Sequence, residues 1–169
     1  MIWFVSLELI RREFLPDRSG AWLDVLEFES LHSVPDDQML AAVIESPWYH
    51  HDYASPRGDE PEPAPHDIHG PYQLDHVKAE EFVPSRPASM KAEITDWLDT
   101  IDAEPGFAIA VRDTLARLVP PDSRIYRLPA LGEDKMHVYG WVVGTSGFHE
   151  FVILGEDARR VTVVVASDD

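Results

Sequence analysis

The sequence predicts an α+β fold: a mostly antiparallel sheet, built from an N-terminal hairpin and a C-terminal three-strand meander, with about three helices packed on one face. Three observations carry this reading. Residues 136–143, 148–154 and 160–166 are apolar runs dominated by β-branched and aromatic residues, and Gly144-Thr145-Ser146-Gly147 and Gly155-Glu156-Asp157-Ala158 separate them. Such runs, joined by short turn-prone segments, read as an antiparallel meander. At the other end, Trp3, Val5, Leu7 and Leu9 alternate with Ser6 and Glu8, the period of a half-buried strand. Between the two ends, apolar residues recur at helical spacing in three stretches.

Taken in order, residues 1–10 form the first strand, and Pro16-Asp17-Arg18-Ser19-Gly20 supplies a tight loop. Residues 21–31 fit either a strand or a helix. A hairpin partner for the first strand is the simplest use of the loop, so strand is preferred. Ser33-Val34-Pro35-Asp36 reads as a helix start with Ser33 as the cap; Met39, Leu40, Val43 and Ile44 follow, and Ser46-Pro47 ends the element. From 48 to 87 the pattern dissolves into a proline-rich insertion too long for an ordinary connection. Its centre, residues 59–65, is expected to be mobile, while Trp48, Tyr49, Tyr53, Tyr72 and Phe82 drape its flanks over the body. Met90, Ile94, Trp97, Leu98 and Ile101 then mark a helix capped at Ser89, and Pro105-Gly106 breaks it. A second helix runs from Phe107 to Val119 and packs beside the first. A strand at 124–128 leads into the meander. All 169 residues read as one domain.

Composition excludes several functions. With no cysteine there is no disulfide, thiol nucleophile or cysteine-ligated metal. That lack, together with an N-terminus without a basic leader region, points to the cytoplasm. No apolar run approaches the roughly 18 residues of a spanning helix. The chain has no asparagine and far more arginine than lysine, a bias that a GC-rich, bacterial genome would produce. The net charge is -17, and the acidic excess is spread along the whole chain. Such a field repels nucleic acid and anionic lipid and draws in cationic partners.

Motifs for chemistry are few. His50, His51, Asp52, His66 and His69, in the insertion, are of the types that ligate zinc or another transition metal, and they define a metal-binding alternative within 50–76. His149-Glu150 opens like a zincin signature, but Ile153 stands where the second histidine belongs. His137 and His149 are therefore expected on the sheet surface or bonded to neighbouring backbone. Ser146 sits in a turn without nucleophile-elbow spacing. No catalytic residue is nominated. Glu93, Asp96, Asp99 and Asp102 form an acidic ridge along the first long helix. Like charges so placed weaken the helix slightly, which is tolerable where a basic partner occupies the ridge. The leading expectation is thus a small acidic protein that binds a basic protein, as an inhibitor, antitoxin or immunity partner does. The ridge, with Trp48, Tyr49 and Tyr53 as aromatic anchors, would make the contact. Self-association through an exposed strand edge is a third reading.

Overall fold

The computed structural model describes residues 5–53, 66–139 and 146–168. Two hairpins meet at its centre. The first joins β1 (Leu7–Pro16) to β2 (Ala21–Ser30). The short pair β3 (Ile68–His69) and β4 (Tyr72–Gln73) stands apart as a second, two-stranded sheet. β5 (Val83–Ser85) and β6 (Arg124–Leu128) precede the second hairpin, β7 (His149–Leu154) and β8 (Arg160–Asp168). β2 and β8 pair antiparallel from Ala21 opposite Asp168 to Glu29 opposite Arg160. The resulting six-stranded sheet has the order β1-β2-β8-β7-β6-β5, antiparallel throughout. This is the predicted α+β fold with its mostly antiparallel sheet.

The helices divide between the two faces, where the sequence reading put all three on one. α2 (Pro87–Thr100) and α3 (Pro105–Leu118) cover Leu23, Val25, Phe151, Ile153 and Val164. α1 (Asp36–Glu45) and the described parts of the 48–82 segment cover Trp22, Leu26, Phe28, Val152, Val163 and Val165. The reason lies in the central strands, which are apolar on both sides. One helical layer would leave a whole face in water, at about 25 cal/mol for each Å². Residues 21–31 lacked a clean alternation for the same reason: Ala21 through Leu26 are all buried.

The meander also differs in its first member. β6, not residues 136–143, pairs with β7. β6 buries Ile125 against α2 and α3 and Leu128 on the opposite face, so it satisfies both layers. Met136 makes one antiparallel bridge to Tyr72, while Val138 and Tyr139 remain exposed; residues 140–143 lie outside the described residues. The insertion's centre, 59–65, lies outside them as well. Of the predicted first strand, residues 1–4 lie outside the described residues; β1 runs from Leu7 on to Pro16, because β2 offers it a partner along that whole length.

The helix boundaries shift for local reasons. Ser33 does not cap α1: its hydroxyl donates to Asp157 O at 2.8 Å, and Pro35 takes the cap position. Ser89 falls inside the first turn of α2, which opens at Pro87. α3 likewise opens at Pro105, so this proline starts a helix instead of breaking one. A first-turn proline loses nothing, since its missing N–H would have no helical partner there.

Both sheet edges are blunted. β5 has three residues and contains Pro84, which has no N–H to offer a new strand. β1 carries a bulge between Leu9 and Arg11, followed by the charged run Arg11-Arg12-Glu13. These devices oppose edge-to-edge pairing and weaken the self-association reading. Among the described residues no helix is long and apolar enough to cross a membrane.

Candidate functional site

Side chains alternate along a strand, so His149 and Glu150 at the start of β7 point to opposite faces of the sheet. Each organises a polar cluster. Glu150 enters the face covered by the 48–82 segment, where it is 1 % exposed, and meets Tyr49 and His69, equally buried. The Tyr49 hydroxyl donates to Glu150 Oε2 at 2.6 Å, and His69 Nε2 contacts Glu150 Oε1. His69 Nδ1 lies 2.6 Å from Tyr49 O, and since a carbonyl only accepts, this nitrogen carries a proton. The Nε2 to Oε1 contact then requires one further proton, held by either ring or carboxyl. The Tyr49 and His69 rings stack with centroids 3.5 Å apart. Burial, reinforced by the Glu150 charge, pushes the Tyr49 phenol well above its ordinary range and keeps it a donor. Every polar atom of the trio has a partner. A buried carboxylate is tolerable only under that condition. The trio fastens the aperiodic 48–82 segment to the sheet.

Phe148 closes this cluster from above. Its ring lies edge-on to His69, Tyr53 and Tyr72, and it packs against Gly70 at the β3–β4 turn. Gly70 has φ +52°, as the first residue of a two-residue hairpin turn requires.

On the other face, Glu93 of α2 accepts from Arg127 Nε at 2.6 Å and lies 2.9 Å from His149 Nδ1. His149 Nε2 faces Ser146 O at 3.0 Å, so both ring nitrogens meet acceptors and the contacts are complete only with the imidazolium. Ser146 donates to the Asp168 carboxylate and accepts from Trp97 Nε1 at 3.1 Å. Its hydroxyl is therefore an anchor for the segment entering β7, with His149 turned to its carbonyl instead. Burial alone would raise the Glu93 pKa, but hydrogen bonds from His149 and Arg127 outweigh it and hold the carboxyl below its usual 4.5. A folded-state pKa below the unfolded one gives stability that is present above about pH 4.5 and lost as pH falls through the folded value. Glu93→Gln should accordingly lose about 1 kcal/mol near neutral pH and flatten the acid limb of stability below pH ~4.5, as read from urea unfolding across pH.

The predicted site residues scatter across this architecture. Tyr49 and Tyr53 are 1 % and 5 % exposed, in the core; Tyr53 stacks on Trp22 at 5.2 Å. Trp48 packs against the same core. As buried side chains Tyr49 and Tyr53 have no surface to offer a partner, because their rings are what holds the insertion to the sheet. Of the ridge, Glu93 turns inward to Arg127 and His149, whereas Asp96, Asp99 and Asp102 are exposed. The proposed metal ligands separate. His69 bonds Glu150, and buried His51 accepts the Tyr53 backbone N–H at 2.7 Å through Nδ1, with Asp52 beside it. His50 donates to His66 O at 2.6 Å, and the His66 ring stacks on Tyr139 at 3.7 Å. Among the described residues no three His, Asp or Glu side chains are placed to share an ion. His137 and His149 do bond to backbone carbonyls, Gly70 O and Ser146 O. Sequence reasoning missed Glu150 and the pairing of Glu93 with Arg127 and His149. The first had a signal: a lone acid inside the apolar run 148–154.

An open cleft of 520 Å³ lies beside the β3–β4 hairpin, and its lining includes His66, Asp67, Asp75, Met136, Val138 and Tyr139. No protein-family model, no characterised protein and no solved structure matches the chain.

Proposed function

We propose that the chain is a small acidic binding protein that occupies a cationic surface of another protein, in the role of an inhibitor, antitoxin or immunity partner. One observation carries the reading: eight of the ten arginines among the described residues are spent internally, Arg86 and Arg112 being the exceptions. Arg11, Arg12, Arg18, Arg117, Arg124, Arg127, Arg159 and Arg160 each lie within 4.0 Å of a carboxylate of the same chain. Several of these pairs tie elements together, such as Arg117 of α3 to Glu13 and Glu27 of the first hairpin. The surplus carboxylates are left to solvent, among them Asp96, Asp99 and Asp102 on the outer side of the α2 end, and no ion pair engages these three among the described residues. A field of one sign, uncompensated at the surface, accelerates encounter with a cationic partner and rejects acidic ones.

The test is a comparison between the wild type and the Asp96→Asn/Asp99→Asn/Asp102→Asn variant. Asparagine keeps the shape of each side chain and tolerates the positive φ of +51° at Asp102. A basic protein captured from the source cells at low salt should be identified, purified and shown to bind one to one. The variant should associate with it about tenfold more slowly, with dissociation little changed. Equal association rates for the two proteins, or the absence of any stoichiometric basic partner, would end this reading.

A further inference from the structure

A groove of about 600 Å³ lies where the first hairpin meets the start of α1, apart from both polar clusters described above. Val5, Leu31, Val34 and Pro35 give it an apolar lining. Val34 is buried, but Leu31 is 74 % exposed, so the groove keeps apolar surface in water that an occupant would remove. Ser30 also lines the groove and is only 3 % exposed. Its hydroxyl oxygen accepts the His32 backbone N–H at 3.3 Å, while its own proton meets no acceptor among the described residues. A buried donor in that state calls for an acceptor placed in the groove. The other polar side chains on the lining, Ser6, His32, Ser33 and Gln38, are exposed. α1 begins at this groove, since Pro35 and Gln38 both line it, and its first N–H groups have no side-chain cap.

Together these features select a ligand with an apolar side chain and a neutral hydrogen-bond acceptor. An anion is disfavoured. No lysine or arginine lines the groove, and Asp37, in the first turn of α1 beside Gln38, is exposed and pairs with neither among the described residues. Asp36 differs, because it is spent on Arg124 and Tyr126. A second copy of this chain is disfavoured too, since it would bring a net charge of -17 against an equal one. An extended peptide supplies the missing parts at once: a side chain for the apolar lining, a carbonyl for the Ser30 hydroxyl, and a cation on the next residue for Asp37. We propose that the groove receives an extended segment of the basic protein partner, with a large apolar side chain against Val5, Leu31 and Val34, the adjacent carbonyl on Ser30 Oγ, and a flanking lysine or arginine beside Asp37. The proposal rests on the binding role argued above and names the chemistry of the segment that is held.

The probes are three tripeptides, each acetylated and amidated at its ends: lysyl-leucyl-lysine, lysyl-alanyl-lysine and glutamyl-leucyl-glutamate. Each is titrated into the full chain and followed by NMR of backbone amides and methyl groups. The first should give saturable shifts at Leu31, Val34 and Gln38, and the other two should each bind at least about tenfold more weakly. The alanyl peptide separates the groove from plain attraction between a cation and an acidic protein. Leu31→Ser should lose the saturable response and keep the resonances of the core, since this side chain is 74 % exposed. Non-saturating shifts, equal affinity for the alanyl or the glutamyl peptide, or unchanged affinity in Leu31→Ser would overturn the site. The failure of the groove and the failure of the binding role are distinguishable. A partner that associates more slowly with the Asp96/Asp99/Asp102 variant but binds Leu31→Ser like wild type removes the groove and keeps the function. Saturable binding of the leucyl peptide without any stoichiometric basic partner keeps the groove's chemistry and removes the function.

Discussion

Replacing Glu150 by leucine should cost about 3–5 kcal/mol, whereas replacing it by glutamine should cost about 1 kcal/mol or less. The contrast follows from donors and acceptors, not from size. Leucine strands the Tyr49 hydroxyl and the His69 Nε2 in a fully buried site, with no other partner for either among the described residues. Glutamine can replace both contacts. Its amide oxygen accepts from Tyr49, its amide N–H donates to the Nε2 lone pair, and neutral His69 keeps its Nδ1–H on Tyr49 O. Burying a charge becomes unnecessary in that arrangement, which offsets part of any misfit. Urea unfolding measures both values, and the leucine variant's midpoint temperature should fall by about 10 °C. Equal losses in the two variants would show that the negative charge, and not the set of acceptors, holds the 48–82 segment to the sheet.

The same site marks how far the sequence could be read. Period and turn chemistry were enough for the hairpins, for α2 and α3, and for the antiparallel character of the sheet, because these depend on neighbours in the chain. The division of helices between two faces was legible only in part. Strands apolar on both sides, such as 160–166, carry that information, but they were read as a one-sided sheet. The Tyr49, His69 and Glu150 cluster joins positions about 80 to 100 apart, from |i−j| of 81 and 101, and no local pattern encodes such a meeting. Composition misled in the insertion. Its prolines and polar residues resemble a surface loop, yet Tyr49, His51, Tyr53 and His69 are core residues, with the His51 ring accepting the Tyr53 backbone N–H and the His69 ring donating to the Tyr49 carbonyl. The acidic ridge was misread by one residue, because on a helix a spacing of three drifts around the axis, and Glu93 drifts far enough to reach Arg127 on the sheet.

Gly70→Ala is the other substitution with a large expected cost, and it tests how the buried cluster is closed. An added Cβ would lie 2.6 Å from two atoms of the Phe148 ring, closer than carbon atoms approach without displacement, at a residue with φ +52°. The left-handed backbone costs an alanine about 1–2 kcal/mol, and forcing the ring aside in a packed site about 1–3 kcal/mol, so about 2–5 kcal/mol is expected together. Gly106→Ala is the control. Its Cβ would meet nothing within 4 Å, and in the first turn of α3 alanine is the better helix former, so that variant should gain up to about 1 kcal/mol. If ring overlap is the larger part, trimming Phe148 to leucine in the Gly70→Ala background should recover part of the loss. The double variant would then be more stable than the two single losses predict, with a coupling of at least about 0.5 kcal/mol. Strict additivity would assign the whole cost to the turn's backbone. Phe148 would then be a passive cover over His69 and not the part that fixes the hairpin's distance from the sheet.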